Sequence, residues 1–166
     1  MNYILFTFFA RNYFLFVLIL AAAACDYPPR DICIIIDQTK SLGASNYVTL
    51  LEAIKDLVAT YNVGPDNDHV SIVTFHGKAF VRSRLDDSQY HSVDALKALI
   101  QEMQDNDVLG SPTRTDLALD AANKEVYTPA NGDRPDSPDI LIVFTDGGKA
   151  ENSMSYDEVL PPLEVR

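Results

Sequence analysis

Apolar positions along the chain change period several times, and each change predicts an element. Residues 32–36, "ICIII", form an unbroken apolar run between Asp31 and Asp37. A short, β-branched run of this kind predicts a strand buried on both faces, as in a parallel sheet. After the loop "SLGASNY", the residues Tyr47, Leu51, Ile54, Leu57, Val58 and Tyr61 recur at helical spacing, and Gly64 and Pro65 stop that helix. "HVSIVTF" (69–75) and "KAFVRSRL" (78–85) predict two more strands. Only His76 and Gly77 join them, so they pair as an antiparallel hairpin. A second helix is expected from about Ser88 to Gln104, with Val93, Leu96, Leu99, Ile100 and Met103 on its apolar face, and a third from Asp116 to Val126. "TPANGDRPDSP" carries the Pro, Gly and Asp of an exposed loop. "DILIVFTDGG" (139–148) then repeats the opening theme, an apolar strand running into Thr145, Asp146 and two glycines.

Two buried strands that each end in an aspartate, with helices between them, imply an α/β fold. The expected sheet is doubly wound and mostly parallel, with one antiparallel edge strand. In such sheets ligands collect at the carboxyl ends of the strands, near the point where strand order reverses. Asp37 and Asp146 both belong there.

The first two dozen residues differ from the rest. Residues 3–24 are apolar apart from Thr7, Arg11 and Asn12, and end in four alanines. A positive charge, an apolar stretch and then small residues form the pattern of a secretory leader, with cleavage after Ala24. An uncleaved membrane anchor is the rival reading of the same stretch. The expected organisation is a leader at 1–24, a linker at 25–30, one domain at 31–150 and a C-terminal segment at 151–166. Loss of the leader, with its single Arg11, takes the formal charge from −11 to −12. Such acidity argues against nucleic acid and anionic membrane as partners. Of the two cysteines, Cys33 lies inside the apolar strand and reads as a small buried hydrophobe, while Cys25 is left for a partner outside this chain. No Asn-x-Ser/Thr acceptor is present.

The strand ends carry the chemistry. Asp37-Gln38-Thr39-Lys40-Ser41 places a carboxylate and two hydroxyls at alternate positions, so that in an extended loop they face one side. Gly110-Ser111-Pro112-Thr113-Arg114-Thr115 offers further hydroxyls between the second and third helices, and Thr145-Asp146-Gly147 closes the last strand. Each piece alone has a plain alternative as a cap or turn. Together and in this order they resemble the von Willebrand factor A domain, including the inserted domain of integrins, over about residues 31–150. The resemblance implies a metal-ion-dependent adhesion site with Asp37, Thr39, Ser41, Thr113 and Asp146 as metal ligands, Thr115 being second choice to Thr113. It implies Mg²⁺ or Mn²⁺ as the cation and, as partner, an extracellular protein presenting an acidic side chain, collagen or another matrix component being candidates. A hard cation of this kind takes about six oxygen ligands, which suits the set.

The chain departs from the family pattern twice. Thr39 stands where the family usually has Ser, and its methyl stiffens χ1. After the Thr-Asp-Gly turn the family continues with further strands, whereas "KAENSMSYDEVLPPLEVR" holds one short helix around Tyr156–Leu160. The expectation is a truncated domain whose last strand has an open apolar edge.

These readings predict a secreted, non-enzymatic adhesion or matrix module. A membrane-tethered receptor or channel-associated subunit built on the same domain is the alternative. A Mg²⁺-dependent phosphatase of the haloacid-dehalogenase type would need a second Asp two residues after the first, where this chain has Thr39. His69, His76 and His91 lack metal-ligand spacing and are expected at the surface.

Overall fold

The computed structural model describes residues 3–8, as backbone, and 28–164. Five strands form one mixed sheet: β1 (Tyr3–Phe8), β2 (Asp31–Asp37), β3 (His69–Phe75), β4 (Ala79–Ser83) and β5 (Asp139–Thr145). Their order is β1-β5-β2-β3-β4. All neighbours are parallel except β3 and β4, which pair antiparallel as expected, though the link is three residues, 76–78, and not two. The expected α/β class, with an antiparallel edge strand, is the observed one.

Strand β2 lies at the centre because its sequence tolerates burial on both faces. Ile32, Ile34 and Ile36 point to one side, where they meet Leu50, Leu51, Ile54 and Val58 of α1 (Ala44–Val58) and Leu96, Ile100 and Met103 of α2 (Val93–Asn106). Cys33 and Ile35 point to the other, against Ala118 and Leu119 of α3 (Thr115–Ala121). Four isoleucines of this strand are fully buried, each worth about 1.5–3 kcal/mol of transfer free energy. Burial drives the Cys33 thiol far above the usual range, as befits an inert core residue.

The helices depart slightly from expectation. Ser88–Tyr90 is a separate 3₁₀ turn, and α2 starts only after Ser92, whose side chain accepts from the Ala95 amide and caps the helix. The third helix is α-helical to Ala121 and then widens into a π turn, Ala122–Val126. Tyr127 follows it, buried, with its hydroxyl donating to Ile140 O. In the C-terminal segment, Ser155 and Glu158 make a capping box for α4 (Tyr156–Val159), and α5 (Pro161–Glu164) follows directly. Val159 and Leu163 pack into the core beside α3.

The edge of β5 is not open as expected. Residues Tyr3–Phe8, inside the stretch read as a leader, lie parallel to it in the register Tyr3↔Ile140 to Phe8↔Thr145. An unpaired row of backbone groups on an apolar strand attracts another strand, and here the chain supplies one. The cleavage point, Cys25 and the first half of the 25–30 linker lie outside the described residues. Among the described residues no helix is long and apolar enough to cross a membrane.

Candidate metal centre

Because β2, β3 and β5 are parallel, their carboxyl ends open on one face of the sheet. Asp37 ends β2 and is completely buried. Its Oδ1 accepts from the Thr39 amide at 2.9 Å and from Thr39 Oγ1 at 2.6 Å. Thr39 Oγ1 also lies 2.8 Å from Ser41 Oγ. The alternation read from sequence therefore places all three side chains on one side of the loop. Lys40, between them, points into solvent. Gly43 at φ 81° then turns the chain into α1, a conformation that glycine adopts without strain.

The loop before α3 is zipped to this one. Lys40 donates its amide to Gly110 O at 2.9 Å, and Gly110 donates to Gln38 O at 3.0 Å. Gly110 is required there, since a Cβ at that position would run into the His76 ring. Beyond Gly110 the chain turns through a cis Ser111-Pro112 bond to Thr113. Thr113 O accepts from the Ala150 amide at 3.0 Å, which joins this loop to the one after β5.

Asp146 follows β5, with its Oδ1 accepting from the Gly148 amide at 2.9 Å. A Cβ placed on Gly148 would lie 3.1 Å from Asp146 Oδ1 and 3.6 Å from Thr113 Oγ1. Those two oxygens thus flank one small space that glycine leaves open. Asp146 is also close enough to Asp37 for their charges to repel. The structure accordingly gathers Asp37, Thr39 and Ser41 as one hydrogen-bonded set, with Thr113 and Asp146 facing each other across the neighbouring loops. Thr115, the second choice, is fully buried as the first residue of α3, and its hydroxyl has no partner.

Burial raises the Asp37 carboxyl above its ordinary range, and the Asp146 charge adds to the rise. Hydrogen bonds from Thr39 and Thr145 oppose it, but no cationic side chain does. The donor set is all oxygen, anionic at two points and neutral at the hydroxyls, and lacks a positive counterpart. It fits a hard divalent cation.

Several supporting residues escaped sequence reasoning. Thr145 Oγ1 donates to Asp37 Oδ2 at 2.9 Å and so holds the second carboxylate oxygen; its place in Thr-Asp-Gly was the available signal. The Gln38 side chain is held at both ends: its Nε2 donates to Val108 O, and Arg82 donates to its Oε1 while also binding Thr74 and Asp107. The histidines are less exposed than expected. His69 is buried and stacked on His91 at 4.0 Å, and desolvation lowers its pKa. His76 is half-buried beneath Gly110, beside Phe80.

Comparison with known proteins bears on the family and the fold. The family model described as von Willebrand factor type A domain matches residues 31–164. Von Willebrand factor A domain-containing protein 1 of Mus musculus is 30% identical over 141 residues, covering 82% of this chain and 30% of its own length. The collagen alpha-1(XX) chain of Homo sapiens is 25% identical over 137 residues, covering 82% of this chain and 10% of its own. Among solved structures, proximal thread matrix protein 1 from the mussel byssus, with a zinc-occupied MIDAS motif, matches with a TM-score of 0.58 at 27% identity. That match covers 70% of this chain and 28% of the mussel protein. The chain therefore spans less than a third of the length of each of these relatives.

Proposed function

The chain belongs to the von Willebrand factor type A family, and from that premise we propose that it is an extracellular adhesion module. In this reading Asp37, Thr39, Ser41, Thr113 and Asp146 hold Mg²⁺ or Mn²⁺ and present it to a carboxylate of a protein partner. One observation carries the proposal: Asp37 is a fully buried carboxylate surrounded by hydroxyls and a second aspartate, with no positive side chain to neutralise it. Burying an unpaired charge is costly, and a bound cation is the usual remedy.

The chemistry of the ligands explains the preference for an acidic partner. Hydroxyl oxygens are neutral, so two carboxylates from the chain leave room in the coordination shell and little repulsion against a third. A divalent cation held there supplies an electrophilic position for that partner oxygen. Thr145 and the Thr39 amide orient the Asp37 carboxylate, and Gly148 orients Asp146. A binding module is favoured over a phosphatase because position 39 offers a hydroxyl where general acid catalysis needs a carboxyl group. Residues 1–24 would serve as a secretory leader, and its cleavage would take β1 from the edge of β5 in the mature protein. The matrix setting is supported by relatives that include a collagen chain and a thread matrix protein.

Titration calorimetry with MgCl₂ and MnCl₂ tests the metal claim. One cation per chain is expected to bind the wild-type protein and none the Asp37→Ala variant. A folded wild-type protein that gives no heat with either cation would refute the proposal.

A further inference from the structure

Gln38 sits between the candidate ligands Asp37 and Thr39, yet its own side chain is outside the donor set. It is buried, and each of its polar atoms is bonded. Its amide donates to Phe75 O at 2.8 Å, and its carbonyl accepts from the Gly110 amide at 3.0 Å. Its Nε2 donates to Val108 O at 3.1 Å, and its Oε1 accepts from Arg82 Nη2 at 3.2 Å. Leaving a buried amide group unbonded is costly, so these four bonds fix the residue that carries it. The backbone angles of residue 38 in turn set how Asp37 and Thr39 face each other. A rotation there would pull the Thr39 amide away from Asp37 Oδ1.

Arg82 is the hub of the bonds behind Gln38. It belongs to β4, the antiparallel edge strand, and reaches across β3 toward the end of β2. Its Nε donates to Thr74 Oγ1 on β3 at 2.8 Å. Its Nη2 is shared between Gln38 and the Asp107 carboxylate, whose oxygens lie 3.0 and 3.1 Å away. Asp107 ends α2, and its Oδ2 also accepts from the Tyr47 hydroxyl of α1 at 2.8 Å. Burial and the Asp107 charge push the Tyr47 phenol up, so it stays a donor. The helix α1 begins at Ala44, directly after the metal loop. The path from Gln38 through Arg82, Asp107 and Tyr47 therefore returns to the far end of the segment it started from.

A matched ion pair lies at the opposite pole. Arg30 and Asp68 have side-chain exposures of 27% and 5%, against 28% and 9% for Arg82 and Asp107. That pair ties together the amino ends of β2 and β3, remote from the metal loop.

We propose that Arg82, acting with Asp107 through Gln38, is a positioning residue of the metal centre. It holds residues 37–41 in the cation-binding conformation before a cation arrives. The proposal rests on the metal-dependent reading and extends it to residues of β4 and α2 outside the ligand set. Its prediction is opposite in sign to plain electrostatics. Arg82→Met removes a positive charge and leaves Asp107 negative, which by Coulomb attraction alone would tighten cation binding. Loss of positioning loosens it, by about tenfold, as when other groups that orient a metal ligand are removed.

Titration calorimetry with MgCl₂ and MnCl₂ decides the sign, on proteins shown to be folded by circular dichroism. Gln38→Met keeps the charge and nearly the volume while deleting both side-chain bonds, so it tests the same claim should Arg82→Met not fold. Both variants should bind either cation about tenfold more weakly than wild type. Arg30→Met should keep wild-type affinity while losing stability. Amide hydrogen exchange in EDTA adds a readout without metal. The Thr39 and Lys40 amides should exchange about tenfold faster in Arg82→Met and Gln38→Met than in Arg30→Met, because the loop opens locally. Unchanged or tighter cation binding by Arg82→Met or Gln38→Met, equal weakening in Arg30→Met, or equal exchange in all three would each overturn the positioning role and leave the metal reading standing. A folded wild-type protein that binds neither cation would overturn the metal reading, and this role with it.

Discussion

Asp31 opens strand β2 and Asp37 closes it, seven residues of one strand with a fully buried carboxylate at each end. At the amino end Asp31 is answered by an arginine. Arg134 Nη2 and Nε reach Asp31 Oδ1 at 2.6 and 2.9 Å, and the Arg134 amide reaches Oδ2 at 2.7 Å. The same guanidinium also donates to the carbonyls of Asn67 and Arg30, while Arg30 itself pairs with Asp68. At the carboxyl end Asp37 is answered only by hydroxyls and an amide, and the charge that acts on it is that of another aspartate, Asp146. One pole has its cation built into the chain. The other has the same buried charge without it, and that asymmetry separates a structural aspartate from one that awaits a ligand.

Removing the arginine from the first pole should have the largest effect. Arg134→Met leaves Asp31 charged and unpaired in the core, and is expected to cost about 3–5 kcal/mol of unfolding free energy. Urea denaturation measures it directly. A loss below about 1 kcal/mol would place this pair among ordinary surface ion pairs and dissolve the contrast between the poles.

The two poles were also unequally readable. Asp37, Thr39 and Ser41 lie within five residues, so alternation alone could put them on one side of a loop. Asp146 was legible because it repeats the pattern of an apolar strand running into a carboxylate. Their meeting with Thr113 is different: it depends on a three-way zip of backbone bonds between loops far apart in sequence, and only resemblance to a family suggested it. The Asp31–Arg134 pair spans 103 residues and draws its arginine from a Pro- and Gly-rich stretch that looked wholly exposed. No local period marks such a contact. The β1 strand was illegible for another reason, since a run apolar enough for a leader is equally apolar enough to cover a strand edge.

The second prediction concerns the cation. With Mg²⁺ at a hundred times its dissociation constant, the wild-type protein should gain about 2.7 kcal/mol of stability, because only the folded chain brings the ligands together. Asp37→Asn should gain nothing, and EDTA should return the wild type to its metal-free melting point. Equal stabilisation of both proteins by Mg²⁺ would show that the ion acts elsewhere on this acidic surface.

The smallest effect is also the most specific to Asp37. Without metal, burial and Asp146 hold its carboxyl above the value it has in the unfolded chain, so the fold prefers the protonated form. For a group with a raised folded pKa, the stabilisation is complete below the unfolded value, 3.8, and is lost as pH rises through the folded value. In EDTA the wild-type protein should therefore lose stability relative to Asp37→Asn as pH rises from about 4 toward 7. Asparagine keeps an oxygen for the Thr39 amide but never acquires the charge, so the variant should melt above the wild type at neutral pH. Addition of Mg²⁺ should reverse that order. Melting curves of the two proteins at several pH values, with EDTA and then with Mg²⁺, are enough to see the crossing. Were the wild type to melt higher in EDTA at pH 7, the hydroxyls and the Thr39 amide would suffice for Asp37 as Arg134 does for Asp31, and the carboxyl end of β2 would need no metal to be stable.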